Sequence, residues 1–288
     1  MLNDSEWLDV NLQAVDDPTR SPLLPKLPSE GIQVGFVGSS GQASLREGFN
    51  FYKACKAQAK RYGIEIRPDT QVLDFGMGWG RMLRFWLKDV DSDNLWGADV
   101  DPEMVNLCTS LFGCCRFVTV NAHPPSLFEA NSFELIYAYS VFSHLSEDTA
   151  KQWIAEFSRI LKPNGIVVAT TEPRRFIELC HSLRSKSLAG TQNEAWLTAL
   201  ANSFVDTENC LKAYDHGEFL YAPNGGGKFR DSSFYGDALF SGKYIRKNWA
   251  EYLVLKKFID NPNYLPQAMM VLQKKQNRPR HGLSQFFS

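Results

Sequence analysis

The segment Val72-Leu-Asp74-Phe-Gly76-Met-Gly78-Trp-Gly80-Arg81 constrains this chain more than any other. A short apolar run, Gln71–Phe75, leads straight into three glycines at alternate positions, and a helical pattern over 80–88 follows. A strand that ends in closely spaced glycines and opens a helix is the local form of nucleotide-binding sheets. Glycine lets the backbone turn tightly and come close to a ligand. The spacing is Gly-x-Gly-x-Gly, unlike the Gly-x-Gly-x-x-Gly of dinucleotide sites. Asp74 stands two residues before the first glycine. A carboxylate there is awkward for a pyrophosphate and suits a cationic ligand, such as the α-amino group of a methionine moiety.

The same rhythm continues downstream. Leu95–Asp99 reads as a second strand, and a helix opens at Asp101-Pro102, where a first-turn proline is tolerated. Phe117–Val120 and Phe133–Tyr139 read as further strands. Ser146–Leu161 predicts a helix with acids at its start (Glu147, Asp148), bases at its end (Arg159, Lys162) and a stop at Pro163-Asn-Gly165. Ile166–Thr170 is a fifth strand. Alternation of this kind implies a parallel sheet with helices on both faces. Upstream, Ser44 and Glu47 have capping-box spacing, and Leu45, Phe49, Tyr52, Cys55, Ala59 and Tyr62 share one face of a lead-in helix. Tyr252–Ile259 and Met269–Gln273 read as an antiparallel hairpin on the sheet edge.

The expected fold is therefore α/β: a doubly wound, mostly parallel seven-stranded sheet with an antiparallel edge strand and an inserted cap. The boundaries drawn are an irregular segment 1–42, interrupted by Pro18, Pro22, Pro25 and Pro28; a cofactor-binding core with lead-in helix, 43–172; a cap over the substrate, 173–250; closing strands of the core, 251–275; and a tail, 276–288. The stretch between the fifth strand and the hairpin is too long for a simple crossover.

Asp99 lies at the end of the second strand, where a carboxylate can accept hydrogen bonds from both ribose hydroxyls. Asp101, just before Pro102, suits an N-cap instead. With these residues in place, a resemblance is visible. Asp74-x-Gly76-x-Gly78-x-Gly80 resembles the first motif of the class I S-adenosylmethionine-dependent methyltransferases. Leu95-Trp-Gly-Ala-Asp99 resembles the second, Phe133 through His144 the fourth-strand motif, and Leu161-Lys-Pro-Asn-Gly-Ile-Val-Val the helix-to-fifth-strand motif. Together they span about residues 70–172 in matching order. Weaker likeness at 35–62 and 235–273 points to a bacterial subgroup that accompanies glycan biosynthesis.

The resemblance implies S-adenosylmethionine as cofactor. It places the methionine end at Asp74, Phe75, Gly76, Met77, Gly78 and Gly80, the ribose at Asp99, the adenine against Val100, Asn121 and Ala122, and the sulfonium near Tyr139. The implied reaction is methyl transfer to a small-molecule acceptor, such as a sugar or glycan-precursor hydroxyl.

His144, just past the fourth strand, can take a proton as a neutral imidazole and is the candidate base. Glu172, Arg174, Arg175, His216 and Tyr235 are candidate substrate contacts, each a residue type more often found as an ordinary surface or packing residue. Trp79, Trp86 and Trp96 read as packing around the first strands, with Trp79 also able to shield a ligand. The basic run Lys274–His281 reads as a solvated terminus.

Composition narrows the class. Formal charge is −1, which gives no general drive toward nucleic acid. No apolar run approaches the roughly 18 residues that read as a transmembrane span, and the polar start Met1–Glu6 does not read as a secretory signal. A cytoplasmic protein with reduced thiols is expected, because the six cysteines form no Cys-x-x-Cys pair and suit neither zinc nor a disulfide frame. No metal is expected. Two other readings share the sheet: a non-catalytic binding or scaffold protein that keeps the fold, and an NAD-dependent oxidoreductase, which the glycine spacing and Asp74 disfavour.

Overall fold

The computed structural model describes residues 2–17, 19, 21, 23–191 and 194–275. Pro18, Pro22 and the tail 276–288 lie outside the described residues. Seven strands form one sheet: β1 (Val72–Phe75), β2 (Leu95–Asp99), β3 (Arg116–Thr119), β4 (Phe133–Ala138), β5 (Leu161–Thr171), β8 (Leu253–Ile259) and β9 (Ala268–Lys274). Their order is β3-β2-β1-β4-β5-β9-β8. The first five run parallel. β9 runs antiparallel to β5 and to β8, so the antiparallel edge is a pair of strands, with the reversed one lying one place in from the rim.

Strand alternation divides the core in two. Along β4, Leu135 and Tyr137 enter one cluster, while Ile136 and Ala138 enter the other. Along β5, Ile166 and Val168 alternate in the same way with Val167 and Ala169. Successive side chains of a strand point to opposite faces, so a strand covered on both sides reads as a continuous apolar run. The first face packs against α3 (Gly41–Arg61) through Leu45, Phe51, Tyr52 and Cys55. The second packs against α6 (Glu147–Ile160) through Trp153, Ile154 and Phe157. α6 begins at Ser146, whose Oγ accepts the Thr149 N–H. α5 (Pro102–Phe112) begins at Asp101, whose carboxylate accepts the Glu103 N–H at 2.9 Å. The capping role expected of Asp101 is the one it has.

Three elements differ from the sequence reading. The stretch 1–42 holds two helices, α1 (Asp4–Asp16) and α2 (Glu30–Val37). α1 starts with a reciprocal cap: Asn3 Oδ1 accepts the Glu6 N–H, and Glu6 Oε2 accepts the Asn3 N–H. It is held down by buried Arg84, which donates from Nε to Asn11 Oδ1 at 2.9 Å and from Nη2 to the Pro25 carbonyl at 3.0 Å.

The capping box read at Ser44 and Glu47 does not form. α3 starts at Gly41 after Ser40, and Ser44 Oγ donates to the Gly41 carbonyl inside the first turn. The helix expected over 80–88 shrinks to α4 (Leu83–Trp86), because tight turns take up residues 77–82.

Between β5 and β8 the chain builds α7 (Arg175–Leu183), α8 (Glu194–Ala201), α9 (Thr207–His216), a two-stranded sheet of β6 (Leu220–Ala222) and β7 (Asp237–Leu239), and α10 (Gly242–Asn248). α7 and its neighbours have a small core of their own around Phe176, Ile177, Leu200 and Tyr214. The hairpin between β6 and β7 is pinned to the β4–α6 junction: Gly236 N–H donates to the His144 carbonyl at 2.8 Å, and Ala238 N–H to the Ser143 carbonyl at 2.7 Å.

Candidate active site at the carboxyl edge of the sheet

Parallel strands bring their C-terminal ends to one edge, and loops there form a crevice. A cavity of about 1040 Å³ lies at that edge. Its floor is the glycine loop. Gly76 and Met77 both donate their N–H to the Ala98 carbonyl of β2, at 2.8 and 3.1 Å. Gly76, Gly78 and Gly80 have φ of 74°, 53° and 76°, the left-handed region where a side chain is strained. A methyl group on Gly76 would also stand 2.3 Å from Val141 Cγ2.

Asp99 faces this floor, and its two oxygens accept the N–H groups of Gly78 at 2.9 Å and Asp101 at 3.0 Å. Each oxygen keeps a further lone pair for a ligand. Burial raises its pKa, while the charge of Arg230 works in the opposite direction.

Of the residues expected at the cofactor, Phe75, Gly76, Met77, Gly78, Asp99, Val100, Ala122 and Tyr139 line the cavity. Gly80, Asn121 and Asp74 do not. Asp74 is buried beneath the loop, with Tyr137 opposite it on β4. Burial pushes its carboxyl up to about 8. Gly80 holds the turn from below, where a methyl group would meet Phe112 at 2.7 Å. The residues present fit a nucleoside carrying a cationic group: a glycine cradle that a Cβ would fill, a carboxylate beside it, and apolar Val100, Val120 and Ala122 on one wall.

His144, Glu172, Arg175 and Tyr235 line the same cavity. The His144 ring stacks on Tyr235, with centroids 4.7 Å apart. Its Nδ1 lies 2.8 Å from the Gly236 carbonyl. A carbonyl only accepts, so Nδ1 carries the proton and Nε2 presents a lone pair, with Ser140 Oγ 3.4 Å away. Burial lowers the imidazole to about 4 and keeps it neutral.

Glu172, at the end of β5, is pushed up to about 8 by burial, with Asp237 adding to the effect and a hydrogen bond from Gln267 Nε2 at 2.9 Å opposing it. Gln267 also donates to Ser140 Oγ at 3.0 Å, and Ser140 is held at φ 56° by its N–H bond to Thr170 Oγ1.

Arg174 and His216 lie outside the cavity lining. Arg174 pairs on the surface with Asp215 and Glu178, and His216 ends α9.

The structure adds residues that the sequence reading passed over. Val34–Gly38 of α2 and its C-cap roof the glycine loop. Glu47 and Arg81 also line the cavity, both against Tyr139, as do Arg230 beside Tyr235, Asp237 beside His144 and Gln267 beside Glu172. Among the described residues no group of three or more His, Cys, Asp or Glu could hold a metal ion, and no helix is long and apolar enough to cross a membrane.

Residues 72–165 match the family described as a methyltransferase domain. Among solved structures, an S-adenosylmethionine-dependent methyltransferase from Clostridium acetobutylicum is 12% identical, with a TM-score of 0.52 over 79% of this chain and 91% of that one. Another, from Mesorhizobium loti, is 11% identical, with a TM-score of 0.48 over 76% of this chain and 98% of that one. At such identities the first of these bears on the fold alone. The family match falls on the segment whose glycines and carboxylates shape the floor of the cavity: residues 72–165 are similar to a methyltransferase domain, and the seven-stranded sheet around them has the Rossmann-like methyltransferase fold.

Proposed function

We propose that this protein moves the methyl group of S-adenosylmethionine onto a hydroxyl of a small acceptor, in the chemical class of sugars and glycan precursors, bound between the glycine loop and the β6–β7 hairpin. The observation that carries this reading is the state of His144: Nδ1–H is committed to the Gly236 carbonyl, and Nε2 is left as an acceptor beside the cavity. The bound cofactor supplies an activated methyl on a sulfonium, so the protein has chiefly to orient and to exclude water.

Asp99 would hold the ribose, Val100 and Ala122 the adenine, and Tyr139 would stand near the sulfur. Alignment of nucleophile, methyl and leaving group accounts for about 7–11 kcal/mol of barrier lowering in well-oriented systems. An alcohol acceptor must also lose its proton, and a positioned base typically adds about 100- to 10,000-fold. His144 Nε2 would take that proton. The polar groups of Ser140, Glu172, Asn224 and Gln267 suit an acceptor with several hydroxyls. Hydroxyl rather than nitrogen or carbon, and sugar rather than another small molecule, rest on the neutral base and on the glycan-associated likeness of the sequence.

The test has two stages. Calorimetric titration with S-adenosylhomocysteine beside NAD should give saturable one-to-one binding of the first and none of the second. A screen of sugars, amines and carbon acids, read by release of S-adenosylhomocysteine, should then give turnover on a hydroxyl. Turnover confined to amines or carbon acids overturns the acceptor class. Cofactor binding with no turnover on any of them favours the scaffold reading.

A further inference from the structure

The turn between α5 and β3 carries two cysteines side by side, Cys114 and Cys115. Neighbours on an extended strand point their side chains to opposite faces. Here the backbone turns instead. Gly113 ends α5 at φ 62°, and Cys115 is itself left-handed at φ 67°, a conformation uncommon for a residue with a side chain. The turn brings both thiols to one side, with the sulfurs 3.7 Å apart. Both cysteines are free and half-buried, and among the described residues each thiol has the other as its hydrogen-bond partner. Cys115 also packs against the core face that holds α3.

The separation decides what the pair can hold. A disulfide needs its sulfurs at about 2.05 Å, and its Cα atoms usually stand about 4.4–6.8 Å apart. Adjacent residues across a trans peptide hold theirs at about 3.8 Å, so that bond would strain the turn. A single bridging atom fits better. With bonds of about 2.3 Å, the length of a zinc–thiolate bond, it spans the 3.7 Å gap at close to a tetrahedral angle. A centre that prefers collinear thiolates would need about 4.6 Å, twice that bond. Zinc itself takes four ligands, and among the described residues no group of three or more His, Cys, Asp or Glu could hold a metal ion. The pair therefore suits a bent, thiophilic centre with two open valences.

We infer that Cys114 and Cys115 form a two-thiol site for a monosubstituted trivalent arsenical, closed into one ring through both sulfurs. For an arylarsenoxide the step balances without oxidant or reductant. Each S–H gives its proton to the arsenic-bound oxygen, which leaves as water. Two As–S bonds replace the As=O bond, and arsenic stays trivalent. The site is separate from the cavity, whose lining includes neither cysteine. α5 starts at the carboxyl edge of the sheet and runs 11 residues, about 16 Å, to the opposite edge, where β3 begins. Of the other cysteines, Cys55, Cys108 and Cys180 are buried, while Cys210 is half-buried on α9 and serves as a one-thiol control.

The probe is phenylarsine oxide, added to the folded, reduced protein and followed by intact mass. The wild type should take up one phenylarsenic per chain, keep it in excess glutathione and release it to dithiothreitol. A second bond to the same centre is intramolecular, and such linkage typically strengthens retention by about 100-fold or more. Cys114→Ser and Cys115→Ser should each therefore lose the arsenic at about 100-fold less glutathione. Cys210→Ser should hold it as the wild type does. Thermal unfolding verifies each fold, and the more exposed change Cys114→Ala keeps the test open if Cys115→Ser unfolds. Wild-type arsenic that glutathione removes as readily as from the single variants overturns the site. Loss of retention in Cys210→Ser overturns it as well. So does a wild-type pair that closes to a disulfide, lighter by two hydrogen atoms, faster than it takes up the probe.

Discussion

Arg230 lays its guanidinium 4.9 Å from the centroid of the Phe36 ring. Both residues line the cavity, Phe36 from α2 and Arg230 from the loop between β6 and β7. Arg230 also reaches Asp101 at 3.9 Å, and the Phe36 ring lies 3.3 Å from where a Cβ on Gly78 would stand. These contacts clasp the roof above the glycine loop. A partly desolvated cation–π contact is worth about 0.5–2 kcal/mol, so Phe36→Ala should speed S-adenosylhomocysteine release by about 2- to 30-fold. Arg230→Ala should do the same, and the double variant should add little beyond either. Stopped-flow displacement measures the rate. Additive effects of the two changes would show that they do not act as one clasp.

Asp99 holds two backbone N–H groups as well as facing the cavity. Asp99→Ala should therefore weaken S-adenosylhomocysteine by about 5- to 150-fold, from about 1–3 kcal/mol of lost and orphaned hydrogen bonds. Asp99→Asn keeps an acceptor oxygen and should lose less. Titration calorimetry on variants with matched unfolding temperatures decides it, and unchanged affinity in Asp99→Ala would remove the ribose role.

His144→Ala should slow turnover by about 100-fold or more and change cofactor affinity little. Because burial holds the imidazole at about 4, the wild-type rate should show no acid-side fall from this group until the pH nears that value. A steep loss of rate between pH 7 and 6, absent from His144→Gln, would contradict the neutral state inferred from the Gly236 bond.

Glu172 is raised to about 8 and Asp74 likewise to about 8, each chiefly by burial. A carboxyl raised in this way is protonated in the native state and ionised in the unfolded chain through the window between. Its stabilising contribution is complete below its ordinary pKa and is lost as pH rises toward 8. His144 acts in the opposite sense, but only below about 6.5, its ordinary value. The ligand-free protein should thus lose unfolding temperature from pH 6.5 to 8.5, and Glu172→Gln should flatten part of that slope. Scanning calorimetry across the range measures it, and an equal slope in both proteins would mean that Glu172 does not titrate there.

Strands β1, β2 and β4 were legible because each is a short apolar run covered on both faces, and their ends shift by at most a residue from those expected. β3, half-exposed, and β5, which begins five residues before Ile166, fit the pattern less closely. The glycine floor was legible because few residue types tolerate those backbone angles. Glu47 was misread for a definite reason: Ser44-x-x-Glu47 has the spacing of a cap, but Ser40 and Gly41 already begin the helix. The pattern that does make such a cap, Asn3-x-x-Glu6, stood in a segment where prolines downstream suggested irregular chain. Asp74 has the motif's position, yet burial beneath the loop depends on the neighbouring strands and cannot be read from its own sequence. The hairpin that supplies Arg230 and Asp237 signals itself only by Asn224-Gly-Gly-Gly227. Its seat on the β4–α6 junction is a long-range pairing that no local periodicity encodes.

β9 lies inside the sheet, between β5 and β8, yet it follows every other strand in chain order. Val167 pairs with Leu272 across more than a hundred residues of intervening chain. Assembly of the sheet must therefore wait on its latest-made strand, and until then β5 carries an open apolar edge of the kind that slows folding and invites misassociation. In pulsed hydrogen exchange, the β5 amides that face β9 should gain protection together with β9 and later than those of β1 and β4. Simultaneous protection of all of them would mean that the sheet forms in one step.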